Sequence, residues 1–231
     1  MKKLNILWIG LISVLMTACY DDYEKDYDKS TVYFASQKPL RTLVADTDMS
    51  IKVGVAIGGK REVHTDDWAT FEIDPSLLDG TGLTLMPENY YQLADPNKMT
   101  ISNPNLAIAD VKVTFSDAFY NDDAALDKYY AIPFRLVDHN QDEVSTDVNG
   151  NLKDYSIVVV KFVSQYHGTY FVKGKVTNLS TQQVTEYNNK DLSQNMTRDF
   201  VSLGRNKVRR PGFGNTLENN ESVNLTVNPD G

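Results

Sequence analysis

Hydrophobic and polar residues alternate along three stretches of the chain, which is the period of a strand with one buried face. Residues 51–57, 111–115 and 132–136 each place apolar side chains at every second position. Residues 155–162 form a denser apolar run, which predicts a central strand. Pro133 has no backbone N–H to donate, so it predicts an edge or bulged position within the third stretch.

Shorter apolar stretches separated by turn residues extend the β pattern over the chain. Further strands are predicted at residues 31–35, 69–73, 91–93 and 99–101. Clusters of Gly, Asn, Asp and Pro lie between them, as at residues 79–82 and 103–105. The best helical candidate is residues 123–130, one or two turns capped by Asp122 or Asp123. About eight short strands without a long helix predict an all-β fold, an immunoglobulin-like two-sheet β-sandwich.

The N-terminus is organised as a bacterial lipoprotein signal. Lys2 and Lys3 precede an apolar run at residues 4–16, and residues 16–19 fit a lipobox that ends at Cys19, the only cysteine of the chain. The run is shorter than the roughly 20 apolar residues of a transmembrane helix. We expect the Cys19 thiol to carry the lipid that anchors the mature protein to a membrane. No second cysteine is left for a disulfide.

An acidic segment follows the anchor directly. Five of the nine residues 20–28 are acidic, with Asp21, Asp22 and Glu24 nearest to Cys19. The segment resembles the export signal of Bacteroidetes lipoproteins that reach the outer face of the outer membrane. An ordinary solvated tether has the same composition. We expect a lipid-anchored outer-membrane protein that faces the cell exterior.

A change of composition after Phe162 predicts a domain boundary. A new β pattern runs over residues 169–176, and an Asn- and Gln-rich segment follows it. The expected division is a signal peptide at 1–18, an acidic tether at 19–29, a β-sandwich domain at 30–163 and a second β domain at 164–231. The second domain is small, and we expect it to be incomplete in this chain.

The charge of the chain bears on its partners. The formal net charge is −8 at pH 7, and removal of Lys2 and Lys3 with the signal makes the mature protein more acidic. The one basic cluster, residues 205–210, is more typical of a strand end or turn than of a binding patch. An acidic protein of this kind is not expected to bind nucleic acid.

Residues able to carry catalysis or hold a cofactor do not form a recognisable motif. His64, His139 and His167 lie too far apart for a short-range metal motif. No P-loop, Gly-x-Ser-x-Gly or His-Glu-x-x-His sequence occurs. Adjacent acidic residues are expected by chance among 31 Asp and Glu, so no carboxylate pair for glycoside hydrolysis stands out. We predict a protein that is not an enzyme, with no cofactor and no metal site.

One loop nearly matches a calcium-binding pattern. Asp138, Asn140 and Asp142 place oxygen ligands at positions 1, 3 and 5, as in an EF-hand loop. Glu143 stands where glycine is needed, and Asn149 stands where a bidentate glutamate is needed. A hairpin loop between two strands explains the same residues, so calcium binding stays open.

The order of these elements resembles a β-sandwich domain of unknown function near the N-terminus of Bacteroidetes surface lipoproteins. The matching segments are residues 32–34, 51–57, 86–93, 130–136 and 155–162. Residues 166–170 resemble the start of a second uncharacterised domain that often follows it. The resemblance implies proteins encoded with glycan-uptake machinery, and the first domain also precedes the catalytic domain of some surface endoglycosidases.

Aromatic residues in loops beside acids and amides are the candidate glycan contacts, because aromatic rings cover the apolar faces of sugars while polar groups bind the hydroxyls. Trp68 and Tyr120 are the residues we select. Core packing is the competing explanation for each of them. The function predicted is a non-catalytic surface glycan-binding or capture component of a polysaccharide-utilisation system, working with an outer-membrane transporter complex. The alternatives are the N-terminal accessory part of a longer surface endoglycosidase and a structural or adhesion protein.

Overall fold

The structure is a computed structural model that describes residues 27–212 and 222–228 of the chain. Within these ranges no helix has the length and apolar composition needed to cross a bilayer. We call residues 27–163 the first unit and residues 164–228 the second unit, because the pairing of strands changes between them.

Eleven strands of the first unit pair into one mixed sheet. Their bounds are β1 Thr31–Tyr33, β2 Leu40–Val44, β3 Ser50–Gly58, β4 Trp68–Ile73, β5 Thr84–Leu85, β6 Tyr91–Leu93, β7 Lys98–Ile101, β8 Ile108–Phe115, β9 Tyr130–His139, β10 Glu143–Val144 and β11 Tyr155–Val163. Nine strands follow in the order β10-β1-β3-β8-β7-β4-β9-β11-β2, while β5 pairs with β9 and β6 with β8. Three pairs are parallel, β1 with β10, β2 with β11 and β5 with β9.

The sheet curls strongly, as a half-barrel, so that its two halves enclose one core. Val55 and Val113 from one half belong to the same buried cluster as Phe134 and Val160 from the other. The all-β class is confirmed. The predicted immunoglobulin-like sandwich is not what the structure shows, because β7 pairs with both β8 and β4 and joins the two halves into one continuous sheet.

An irregularity between β4 and β9 contributes to this curl. The register of the pair shifts between Thr70 and Phe71, which marks a bulge or similar irregularity. An extra residue in one strand bends that strand and increases its twist. Thr70 and Phe71 of β4 are opposite Asp138 and Leu136, so the extra residue is Val137 and the bend belongs to β9.

The strand β11 lies between β9 and β2, as the dense apolar run predicted. Val158 and Val160 point into the main core, while Ile157 and Val159 form a second buried cluster with Leu78 on the outer side. A strand covered on both faces needs apolar residues at consecutive positions. This double coverage explains why residues 155–162 do not alternate.

Pro133 does not lie at a sheet edge, which corrects the sequence prediction. Its strand β9 is interior, and Pro133 is paired with Ile157 of β11. On the other side β4 ends at Ile73, and the Pro133 carbonyl accepts a hydrogen bond from Asp74 N at 2.9 Å. The proline is accommodated because the neighbouring strand β4 ends beside it. No backbone N–H is therefore required at this position to pair with another strand.

The helical segment predicted at residues 123–130 begins where expected but is shorter, and a second short helix that the sequence did not predict precedes it. A short α-helix, α1, spans Asp117–Tyr120, and a 3-10 helix spans Asp123–Leu126. Asp122 caps the latter by accepting from Ala124 N at 2.9 Å, as its position before the turn predicts. Tyr130 belongs to strand β9, so the helical pattern ends well before it.

The described residues of the second unit, 164–212 and 222–228, form two small antiparallel sheets. Its strands are β12 Gly168–Phe171, β13 Gly174–Thr177, β14 Val184–Tyr187, β15 Thr197–Gly204, β16 Lys207–Pro211 and β17 Ser222–Thr226. One sheet has the order β12-β15-β16-β17, and β13 pairs with β14. Ser164 N donates to Ser202 Oγ at 2.8 Å, which ties the connecting segment to β15.

Candidate functional site

Trp68 lies on the outer face of the curled sheet. It begins β4, in which Ala69 and Phe71 point into the core, so strand alternation turns the indole toward solvent. The side chain is half-buried, and the Lys98 ammonium lies 5.3 Å from the ring centroid. The sequence placed Trp68 among the candidate sugar contacts, and the structure places it where a ligand can reach it.

The outer face continues from Trp68 across two neighbouring strands. Trp68 is paired with Thr100 of β7, and Thr100 is paired with Asp110 of β8. The Asp110 carboxylate accepts from Ser102 Oγ at 2.9 Å and lies 3.3 Å from Lys52 Nζ. Hydroxyl, ammonium and carboxylate groups therefore follow Trp68 across this side of the sheet.

A buried carboxylate lies immediately beside Trp68 in the chain. Asp67 is 3% exposed, and its Oδ1 accepts from Gln141 Nε2 at 2.8 Å, Lys60 Nζ at 3.0 Å and Asn140 Nδ2 at 3.2 Å. Burial alone would raise the pKa of Asp67. The hydrogen bonds from Gln141 and Lys60 and the charge of Lys60 outweigh it, so the pKa lies below its ordinary value.

Asn140 connects this carboxylate to Trp68. Its Oδ1 accepts from the backbone N–H of Trp68 at 2.9 Å and from Gln141 Nε2 at 2.9 Å. Gln141 is 8% exposed, and among the described residues its Oε1 has no hydrogen-bond partner. We call Trp68, Lys98, Asp67, Asn140 and Gln141 together the Trp68 face. It combines an aromatic ring with amide, ammonium and carboxylate groups held in fixed positions.

The near-calcium loop uses its carboxylates for other contacts. Asp142 Oδ2 accepts from Ser30 N at 2.7 Å and from Ser30 Oγ at 2.8 Å, and these bonds lower the pKa of Asp142. Asp138 Oδ1 accepts from His139 N at 2.8 Å. Over the described ranges, no group of three or more His, Cys, Asp or Glu side chains is placed to hold a metal ion.

Tyr120 is not at the surface, which corrects its selection as a ring for sugar stacking. Its side chain is fully buried at the end of α1 and packs against Phe119 and Phe162, at centroid distances of 5.2 and 5.3 Å. The acidic residues that follow it in the sequence made the segment look exposed, whereas α1 turns its aromatic side chains inward. Neither face of the ring is open to a ligand.

The remaining predicted site residues, Cys19, Asp21, Asp22 and Glu24, lie outside the described residues. Lys60, Lys98 and Gln141 were not predicted from the sequence, and Asn140 was considered there only as a calcium ligand. Lys98 reaches Trp68 through the pairing of β4 with β7, Asn140 and Gln141 follow β9, and Lys60 follows β3.

The family of the chain follows from residues 27–143, which match a family model with the description "-like, N-terminal domain". The chain belongs to this family of N-terminal domains. The matched region includes every residue of the Trp68 face and β1 to β9. The resemblance stated from the sequence is thereby confirmed.

Solved structures similar to this one come from Bacteroides. A protein of unknown function from Bacteroides ovatus has a TM-score of 0.70 at 21% identity, with 89% of this chain and 76% of that chain covered. At this identity the likeness establishes the fold alone. No curated protein matches the chain.

Two further likenesses are weaker. EndoBT-3987 of Bacteroides thetaiotaomicron, crystallised with Man5GlcNAc product, has a TM-score of 0.40 at 20% identity and covers 60% of this chain and 32% of its own. An auxiliary nutrient binding protein of the same species has a TM-score of 0.42 at 11% identity, with coverage of 82% and 66%. At these TM-scores neither likeness supports a functional argument.

Proposed function

We propose that this protein is a non-catalytic, lipid-anchored glycan-binding protein on the exterior of the cell, a capture component of a polysaccharide-utilisation system. The observation that supports glycan binding is the Trp68 face. It offers a half-buried indole with an ammonium group near its ring, at a strand start that the exposed Asn140 side chain fixes through the Trp68 backbone N–H.

The chemistry of this face suits a sugar better than an apolar ligand. An indole ring packs against the C–H face of a pyranose, while fixed polar groups orient the ring through its hydroxyls. The Lys98 ammonium near the ring can donate to a hydroxyl. Because Asn140 bonds both to Asp67 and to the backbone N–H of Trp68, the backbone that carries the indole is ordered before a ligand arrives.

Replacing Trp68 with Ala tests this assignment directly. Loss of the stacking ring should weaken binding about tenfold, which corresponds to roughly 1.4 kcal/mol. Affinity electrophoresis in gels that contain soluble polysaccharides, followed by a glycan array, measures the change. Man5GlcNAc belongs on the array because it accompanies EndoBT-3987, a likeness that guides the choice of probe and nothing more.

Tyr129 provides a matched control for that substitution. Tyr129 is 57% exposed, and Lys161 Nζ lies 4.2 Å from its ring centroid. It lies outside the Trp68 face. Tyr129→Ala should therefore retain wild-type mobility. Equal retention of the wild type and Trp68→Ala in every polysaccharide would refute binding at the Trp68 face, and release of reducing ends from a bound glycan would refute the non-catalytic role.

The anchor is tested at Cys19. Acyl chains contribute about 0.8 kcal/mol per buried methylene, so an unacylated Cys19→Ala variant should leave the membrane fraction. Substituting Asp21, Asp22 and Glu24 by their amides should keep the anchor but remove access of external protease on intact cells. Membrane retention of Cys19→Ala would reject the lipid anchor, and unchanged protease access would reject the export signal.

A further inference from the structure

A groove opens in the first unit where the curled sheet splits. β3 occupies one side of β8, and β6 and β7 lie end to end along the other side. Only β7 also pairs with β4. After β7, Phe71 N of β4 still donates to Asn97 O at 2.8 Å. Beyond this bond, no strand pairing joins β6 to β4 or to β5 in the described part of the chain.

Strand edges with apolar side chains form the walls of the groove. Ile73 of β4 and Leu85 of β5 lie on one side, and Tyr91 and Leu93 of β6 lie on the other. The volume is about 390 Å³, which is within the range of about 300–1,000 Å³ for ligand sites. We call this cavity the β6 groove. The lining residues are half-buried or exposed, except for the buried Met86, so a ligand can reach the walls. The other lining residues are Pro75, Glu88 and Pro96.

The pairing register shows where the backbone groups of β6 point. In paired strands, alternate residues direct N–H and C=O toward the neighbouring strand, and the residues between them direct both groups away. Just before β6, Tyr90 O accepts from Ser116 N at 2.9 Å, and just after it, Ala94 N donates to β8 at 2.9 Å. Tyr91 and Leu93 therefore direct their N–H and C=O groups away from β8 and toward the groove.

The opposite wall has the same arrangement. Asp74 N donates to Pro133 O of β9 at 2.9 Å, so the neighbouring Ile73 directs its backbone groups away from β9. The residues on either side of Leu85 donate their N–H groups to the carbonyls of residues 129 and 131, at 2.9 and 3.0 Å. Leu85 thus also faces the groove. Among the described residues, no protein group bonds to these outward backbone groups.

Unpaired strand edges of this kind select one type of ligand. A row of N–H and C=O groups beside apolar side chains is a template for another extended chain. A sugar or an apolar small molecule does not present donors and acceptors at the spacing of a strand. The edges of the β6 groove therefore favour a polypeptide.

The charge in the groove is negative. Glu88 is exposed, and among the described residues it forms no ion pair. Burial, and then the charge of Glu88, raise the pKa of the Tyr91 hydroxyl, so the carboxylate lies near this wall. A lysine or arginine of the ligand would gain a partner there.

We propose that the β6 groove binds an extended peptide segment of a partner protein by strand addition. The segment pairs with the outward edge of β6, places apolar side chains at alternate positions between the walls, and carries a lysine or arginine opposite Glu88. In strand addition, main-chain hydrogen bonds supply affinity and pockets for alternate side chains supply specificity. The groove shares no residue with the Trp68 face, so this proposal does not depend on glycan binding.

The test begins with selection from a phage-displayed library of random heptapeptides on the full chain. We expect the enriched peptides to share apolar residues at every second position and a lysine or arginine. A selection that enriches no such pattern overturns the proposal. A synthetic peptide of the enriched sequence then serves as the probe in titrations followed by fluorescence anisotropy.

Methylation of the peptide backbone tests strand pairing directly. Two versions of the probe, methylated at the odd or at the even amides, keep every side chain and lose main-chain donors. At least one version should bind tenfold more weakly than the parent peptide, because its pairing amides are blocked. Equal affinity of both versions and the parent would show that the main chain is not recognised, which overturns the proposal.

Leu93 isolates the contribution of the strand edge. Leu93→Pro removes the N–H that points into the groove, whereas Leu93→Ala keeps it, and the hydrogen bonds from residues 90 and 94 to β8 and its end do not involve this N–H. The proline variant should bind the probe about fivefold more weakly than the alanine variant, the loss of one hydrogen bond. Circular dichroism verifies that both variants are folded. Equal affinity of the two folded variants overturns pairing at β6.

The basic residue of the peptide is tested at Glu88. Glu88→Gln should weaken the probe about threefold, the size of an exposed ion pair, and the difference should shrink as salt is added. Glu62→Gln, at an exposed carboxylate outside the groove, is the matched control and should bind as the wild type does. Equal affinity of the two variants overturns the charge match.

Two further outcomes would assign the binding elsewhere. Trp68→Ala should leave probe binding unchanged, and a loss of binding in this variant assigns the peptide to the Trp68 face and rejects the groove. Analytical ultracentrifugation without peptide should show a monomer. Self-association that Leu93→Pro abolishes would assign the groove to a second copy of this chain and reject a separate partner.

Discussion

At the scale of single residues, Asp67 shows how burial and charge compete. Its carboxylate is almost inaccessible, yet three donors from Lys60, Asn140 and Gln141 keep it ionised. These hydrogen bonds join residues that are as many as 74 positions apart in the sequence. The sequence could select Trp68 as an aromatic beside acids, but no local pattern indicated which distant amides would meet it. Tyr120 was misjudged for a related reason, since its polar neighbours concealed an inward-turning helix.

The first prediction concerns the stability supplied by Asp67. Asp67→Asn should lower the free energy of unfolding at pH 7 by about 2 kcal/mol, because Lys60 loses its charged partner beside a buried site. Lys60 keeps some solvent contact, which limits the loss. Chemical denaturation of both proteins at pH 7 measures the difference.

The ion pair of Asp67 and Lys60 also predicts that the free energy of unfolding depends on pH. The pKa of Asp67 lies below 3.8 in the folded protein, so its contribution is present above that pH and is lost as the pH falls through the folded pKa. The difference between wild type and Asp67→Asn should therefore shrink toward pH 3. Asp66→Asn, at the exposed neighbouring carboxylate, should stay within about 0.5 kcal/mol of wild type at every pH. A difference that is constant with pH would contradict this account.

At the scale of elements, strands with one buried face were the most predictable. The alternation over residues 51–57 and 111–115 corresponds to β3 and β8, which the structure extends by a few residues. The sequence did not predict β2, because only Leu43 of its five residues is buried. At the edge of the sheet, its apolar and polar residues do not need to alternate. The sequence also contains no signal that β7 would join two expected sheets, because that connection depends on pairings between distant segments.

At the scale of the whole molecule, polar contacts join the two units. Arg205 in the second unit bonds to Asp46, Asp117 and Asn121 of the first, and Lys207 pairs with Asp123. The hydrogen bond that Arg205 donates to Asp46, with a further contribution from Asp117, raises the pKa of Arg205 above its ordinary value. One side chain thus connects two separate segments of the first unit, the turn after β2 and the α1 segment, to the turn after β15.

Arg205→Met should loosen this junction. Loss of the charged hydrogen bonds should destabilise the docked arrangement by about 1–3 kcal/mol, with the solvent-facing Asp117 contributing least. Hydrogen exchange of β15 and β16 should accelerate while the core strands β8 and β9 stay protected. Arg209→Met is the matched control, because Arg209 Nε bonds to Asn224 within the second unit. Equal exchange in the two variants would show that Arg205 does not couple the units.

The Arg205 contacts also affect how the protein can be divided. A fragment that stops at Val163 would retain Asp46 and Asp117 but lose the guanidinium that lies between them. Two carboxylates would then repel each other across a newly wetted surface, and added salt would relieve that repulsion. The excised first unit should consequently be more salt-sensitive than the intact chain, and a graft that replaces the second unit needs a cation at this position.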